Sequence, residues 1–99
     1  MLGGANGVDA DGKVVSPTVG EQALQALRNL ETILKSEGAG LANIVHWTIA
    51  VADGHTFDEG VAAFRQVWNP TDPPPAITVH VVAGLGPGFL VEIDAVAVV

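Results

Sequence analysis

His46 and His80 lie in apolar, β-rich runs where alternation can bring them near Thr48, Thr78 and Glu92. A metal centre needs three or four converging ligands, and no close pair at ligand spacing occurs here. No metal is expected, and both rings read as strand histidines facing an interface. His55 stands beside the start of a helical pattern and reads as solvent-facing. The run Gly84-Leu85-Gly86-Pro87-Gly88 invites comparison with a phosphate-binding loop. It lacks the Lys and Ser/Thr of such loops and stands between two strand-like runs instead of opening a helix, so a hairpin turn is expected. Trp47 and Trp68 read as packing residues rather than ligand-stacking ones.

Charge restricts the partners further. Eleven acidic residues oppose four basic ones, Lys13, Arg28, Lys35 and Arg65, giving a net charge of −7. Nucleic-acid affinity comes from Lys and Arg neutralising several phosphates, so nucleic acid is excluded as a partner. The same shortage of cations argues against an anionic membrane surface. Both arginines fall in helical patterns, where a solvated surface position is the favoured reading over the alternative that Arg28 or Arg65 supplies a cation to a binding site. With 48% hydrophobic residues among 99, the chain is long enough for one domain, residues 1–99, and too apolar to be disordered. No 18-residue apolar stretch escapes interruption by charge, Gly or Pro, so no transmembrane span is expected. Met1-Leu2-Gly3-Gly4 offers no basic stretch followed by an apolar run, so no signal peptide is expected either. Cysteine is absent, which makes a reducing cytoplasm the default compartment. A small chain this apolar is expected to hide part of its surface by oligomerisation.

These residues are positioned by a short list of elements. The chain opens on a Gly-rich stretch with Gly3, Gly4, Gly7 and Gly12. Within it Asp9-Ala10-Asp11-Gly12 reads as a turn, and Lys13-Val14-Val15 as a short strand leaving it. Ser16-Pro17 punctuates. Thr18 and Glu21 have capping-box spacing. Ala23, Ala26, Leu27, Leu30, Ile33 and Leu34 then follow in steps that predict a helix over Thr18–Glu37, stopped by Gly38. Residues 44–52 read as a strand. Thr56 and Glu59 repeat the capping spacing, and Val61, Phe64 and Trp68 predict a second helix ending before Pro70. Four prolines in residues 69–75 demand a stiff loop. Two strands follow, 76–83 and 89–99. In the last, period two places Phe89, Val91, Ile93, Ala95, Ala97 and Val99 on a wholly apolar face that should meet the helices. Leu90, Glu92, Asp94, Val96 and Val98 share the other face, whose mixture suits partial burial by another subunit. The expected class is α+β, a sheet with two helices packed on one face.

Across nearly the whole chain this sequence resembles the RidA/YjgF family. The resemblance is carried by Gly3-Gly4 ahead of Asp9–Val15, by Gln22-Ala23-Leu24 with Asn29-Leu30 and Ile33-Leu34, and by Gly38. Ile44-Val45 with Thr48 and Asp53, Pro75-Ala76, Leu85 and the closing run Val91-Glu92-Ile93-Asp94-Ala95-Val96-Ala97 continue it in register. It implies a chorismate-mutase-like fold, a homotrimer with a barrel core, and small-molecule clefts between subunits. It also implies cofactor-free hydrolysis of reactive 2-imino acids to 2-keto acids and ammonia. The chain is shorter at its start than typical members, so the strand that usually precedes Gly3-Gly4 is expected to be missing.

By this resemblance Glu92 is the catalytic carboxylate, orienting or deprotonating the attacking water. Gly4, Ala50, Val61, Ile77 and Val79 fall on the substrate crevice. The family's Pro-Ala-Arg becomes Pro75-Ala76-Ile77, and Ile77 cannot form the bidentate pair that a guanidinium makes with a carboxylate. Val61 stands where the family's deaminases carry Asn, and Ala50 where they carry an aromatic residue. A crevice with Glu92 and no arginine opposite suits a neutral or cationic molecule, or an imine without a carboxylate. The expectation is therefore a hydrolytic imine or enamine deaminase acting on a substrate other than the usual 2-imino acids. The alternative is a non-catalytic ligand-binding or protein-interaction trimer. Chorismate mutase chemistry needs several cations and endoribonuclease chemistry fits poorly with the charge, so neither is favoured.

Overall fold

The computed structural model describes residues 2–15, 17–55, 58–68, 70–72, 75–86 and 88–98, with backbone alone for residues 2–4. The predicted cap at Thr56, with Phe57, lies outside the described residues, as do Ser16, Asn69, Pro73, Pro74, Pro87 and Val99.

The longer helix, α1 (Val19–Ser36), begins where expected. Thr18 is its N-cap, and its side chain accepts a hydrogen bond from the Glu21 amide. At the other end Gly38 takes φ +76°, a left-handed conformation that glycine adopts without steric cost. The Gly38 amide donates to Lys35 O at 3.1 Å and the Ala39 amide to Leu34 O at 2.9 Å, closing the last turn. Ala23, Ala26, Leu27, Leu30 and Leu34 are buried as predicted. Ile33 is not: it sits on the flank of the stripe, 39% exposed, bordering a groove between α1 and the N-terminal segment.

The sheet has four strands in the order β1-β4-β2-β3, namely β1 (Leu2–Asn6), β2 (Ile44–Ala52), β3 (Ala76–Val82) and β4 (Val91–Ala97). The shorter helix α2 (Asp58–Val67) connects β2 to its parallel neighbour β3, a β-α-β unit. β4 runs antiparallel to both β2 and β1. Of the predicted inner set, Val91, Ile93, Ala95 and Ala97 are each at most 2% exposed, while Phe89 precedes β4 and is half-buried and Val99 lies outside the described residues. The buried side chains meet Trp47, Ile49 and Val51 of β2 and the α1 stripe in one core. A bulge between Ile44 and His46 leaves Val45 49% exposed and lets Ile44 and Trp47, three residues apart, both turn inward. The architecture is the expected α+β sheet with both helices on one face.

Three readings need correction. The run Gly84–Gly88 is not a hairpin: β3 and β4 are not neighbours, because β2 lies between them. The end of β3 and the residue leading into β4 instead meet the end of β2, where the Ala52 amide donates to Leu90 O at 2.9 Å and the Asp53 amide to Val82 O at 2.7 Å. Glycine between two apolar runs looks alike in both connections, and only long-range pairing separates them. Among the described residues Lys13-Val14-Val15 forms no ladder, only an isolated bridge between Val14 and Val8, because the turn at Asp9–Gly12 occupies its neighbours. The first residues, read as a Gly-rich lead-in, are β1, which pairs with β4 from Leu2 to Asn6 at one edge of the sheet.

Candidate functional site

The predicted site residues divide between the two faces of the sheet. On the face away from the helices, pairing register sets Asn6, Glu92, Ala50 and His80 in one row across all four strands. Adjacent strands lie about 4.8 Å apart, so Glu92 and His80 are separated by the width of β2, over the single methyl of Ala50. Gly4 lies one row along, opposite Asp94, whose partner on β2 is Thr48. Glu92 is half-buried there and Asp94 exposed. His46 is held by a 3.0 Å hydrogen bond between its Nε2 and Thr78 Oγ1, while His80 and His55 are exposed. Among the described residues no three His, Cys, Asp or Glu side chains converge on a metal-sized space.

Val61, Ile77 and Val79 lie on the opposite side of the sheet, where they line a cavity of about 270 Å³ between α2 and β3. Its floor is Trp47, Ile49 and Ile93, and Ala23 and Leu27 of α1 close one end. Trp47 is fixed from two directions. Phe64 lies edge-on to it at 5.2 Å and Trp68 at 5.9 Å, while Phe64 and Trp68 stack on each other at 5.4 Å. Both tryptophans are therefore core residues, as read from the sequence. The Trp47 Nε1–H is buried without a hydrogen-bond partner among the described residues. Ile77 and Val79 are each 46% exposed, so the β3 side of the cavity opens to the surface.

Period-two alternation sends the Ile77 and Glu92 side chains to opposite faces within one copy, so a crevice that both line takes one of them from each of two copies. Arg28 and Arg65 are both exposed on their helices, as expected, and Arg65 also lines the cavity together with Val61, Ile77 and Val79. It is the one charged side chain among those lining residues. It stands four residues after Val61, hence on the same face of α2, and that spacing is the signal that could have placed it from sequence. Phe64, Gly60 and the floor residues were likewise not foreseen as part of a site, because an apolar stripe looks the same whether it packs solidly or leaves a gap.

The crossover that leads into Glu92 is anchored from α1. Gln22 is fully buried; its Nε2 donates to Gly88 O and its Oε1 accepts from the Leu90 amide, both at 2.8 Å. Nearby, Asn29 Nδ2 donates to Asn6 O at 2.9 Å and Val8 O at 2.8 Å, tying the end of β1 to the same helix. No helix among the described residues is long and apolar enough to cross a membrane.

Comparison with known proteins agrees with this geometry. The family model described as endoribonuclease L-PSP matches residues 1–99. The human protein named 2-iminobutanoate/2-iminopropanoate deaminase is 36% identical over 98 residues, covering 98% of this chain and 70% of that protein. A solved member of the YjgF/YER057c/UK114 family from Mycobacterium tuberculosis superposes with a TM-score of 0.81 at 30% identity, covering 99% of this chain and 79% of that one. RidA from the Antarctic bacterium Psychrobacter superposes with a TM-score of 0.86 at 25% identity, covering 98% and 77% respectively. With the fold, the closing Val91–Ala97 motif and the family match over residues 1–99 in agreement, the chain belongs to the endoribonuclease L-PSP family, also known as RidA/YjgF.

Proposed function

We propose that this protein is a cofactor-free hydrolase of imines or enamines whose organic part is apolar and bulkier than that of the small 2-imino acids named for its relatives. The observation that carries this reading is the cavity walled by Val61, Ile77 and Val79 over a tryptophan floor. An apolar recess selects substrates by the surface they bury, at about 25 cal/mol per Å². In the reaction the oxygen of one water molecule bonds to the imine carbon, and the carbon–nitrogen bond then breaks. The products are a carbonyl compound and ammonia. Glu92 takes a proton from the attacking water and gives it to the nitrogen, then carries the proton of the resulting hydroxyl to the departing nitrogen as the carbonyl forms. Because the sheet separates Glu92 from the cavity within one copy, the carboxylate that serves a cavity belongs to a neighbouring copy, as in a homotrimer with clefts between subunits. The exposed apolar residues of β3, Ile77, Val79 and Val81, support such assembly. The cytoplasm remains the simplest compartment for a cysteine-free chain.

Ammonia release from freshly generated 2-imino-4-methylpentanoate and 2-iminopropanoate tests the reading. The larger imine should be hydrolysed roughly fiftyfold more efficiently, as expected for three more buried carbons at about 0.8 kcal/mol each. Glu92→Gln should abolish turnover of both. Equal rates for the two imines would refute the size preference. The separation of Glu92 from the cavity favours a second reading, a non-catalytic ligand-binding trimer. That reading stands instead if the parent protein releases no ammonia from either imine and Glu92→Gln leaves ligand binding intact.

A further inference from the structure

We infer that His80 works across Ala50 from Glu92 and accepts the N–H of the reacting nitrogen, and that it thereby restricts the site to imines whose nitrogen bears hydrogen. The inference deepens the hydrolase reading and takes from it the role of Glu92. Pairing register puts Glu92, Ala50 and His80 in one row on the adjacent strands β4, β2 and β3. Their chain neighbours fix the face. Val91, Ile93, Ile49 and Val51 are buried in the core and Val79 lines the cavity, so the row projects from the opposite side of the sheet. Glu92 and His80 therefore stand two strand spacings apart, about 9.6 Å, with one methyl group between them. On directly neighbouring strands the two side chains would meet each other; across two strands a slot remains. A nitrogen hydrogen-bonded on both sides spans about 6 Å, two contacts of about 3 Å, so each side chain has to lean inward by about 2 Å. Neither is committed elsewhere. Among the described residues the Glu92 and His80 side chains have no hydrogen bond or ion pair, whereas His46 on the same face is held by Thr78 Oγ1 at 3.0 Å. No Lys or Arg stands on any of the four strands. The slot thus offers acceptors: a carboxylate only accepts, and a neutral imidazole has one acceptor nitrogen. An imine with hydrogen on nitrogen matches it. Its N–H donates to His80, and its lone pair is then turned towards Glu92, which delivers the proton. An N-alkyl imine carries carbon in place of that hydrogen, so it loses the bond to His80 and must fit the substituent into the slot.

Binding of 3-methylbutanamidine to the purified protein tests this without turnover, since the probe presents N–H donors on a planar C–N unit. Calorimetry gives the affinity, and NMR of the imidazole nitrogens reports contact at His80. The amidine should bind the parent and move the His80 ring signals while leaving those of His55 in place. His80→Val should weaken binding about tenfold or more, the usual loss with a charge-assisted hydrogen bond. His80→Gln, whose carboxamide oxygen still accepts, should restore part of it. His80 is exposed, so both variants should melt within about 4 °C of the parent and sediment as it does. In turnover, the parent should form 2-keto acid about tenfold faster from 2-imino-4-methylpentanoate than from its N-methyl analogue, and His80→Val should lose that preference. No binding of the amidine to the parent, unmoved His80 signals, or equal affinity in the parent and His80→Val would overturn the assignment. A parent that binds the amidine through His80 and releases no ammonia would remove the hydrolase reading alone. Ammonia release that is unchanged in His80→Val would remove the role of His80 alone.

Discussion

Gly7 and Gln22 meet where the N-terminal segment crosses α1, and no side chain larger than hydrogen fits at position 7. A Cβ built there would lie 2.6 Å from Gln22 Cα and 2.7 Å from Gln22 O, both backbone atoms that cannot swing aside. Gly7→Ala should therefore destabilise the fold by about 2 kcal/mol, the usual cost of overpacking, lowering Tm by roughly 8–16 °C in a domain of this size. Thermal unfolding followed by circular dichroism measures it, and an unchanged Tm would show that the segment can lift from the helix. The same contact explains the value of Gln22 as a buried polar residue. Its amide reaches the Gly88–Leu90 backbone with both a donor and an acceptor in place. Arg65 teaches a complementary lesson at this scale. Its charge alone reads as solvation, and it becomes a site residue only because α2 leaves a gap beneath it.

At the scale of elements, local chemistry accounts for most of what forms. The α1 boundaries follow from Thr18 and Gly38, whose roles need only their immediate neighbours. Gly38→Ala isolates one of these roles, because nothing lies within 4 Å of an added Cβ there while φ remains +76°. The expected loss is about 1 kcal/mol, the strain of a left-handed non-glycine residue, measurable as a shifted denaturation midpoint with unchanged slope. A neutral substitution would mean that the helix end unwinds by a residue at no cost. β4 likewise follows its alternation, since four inward positions are apolar and buried. β2 is less regular. Its bulge breaks the period between Ile44 and Trp47, which no count of alternation over residues 44–52 anticipates.

The whole molecule leaves one edge strand conspicuously apolar. Ile77 and Val79 are each 46% exposed and Val81 is 66% exposed along β3, an edge that a monomer would be expected to blunt with charge. The protein should therefore sediment as an assembly of three 10.1 kDa chains. Val81→Lys should shift it towards monomer while keeping the circular dichroism spectrum. A parent protein that is monomeric at micromolar concentration by light scattering would sink the shared-crevice account of Glu92.

Residue types and their spacing determined by themselves the class, the two helices, the inner face of β4, the family and the identity of Glu92, Val61, Ile77 and Val79 as candidates. These rest on period, capping and motif, which are local quantities. Tertiary structure alone decided that β2 separates β3 from β4, that Glu92 and Ile77 face opposite ways in one copy, and that Arg65 borders the cavity. Strand order depends on pairings between residues tens of positions apart, and a cavity is the shape left between elements after they pack. Neither is encoded in the neighbourhood of any one residue, so neither can be read along the chain.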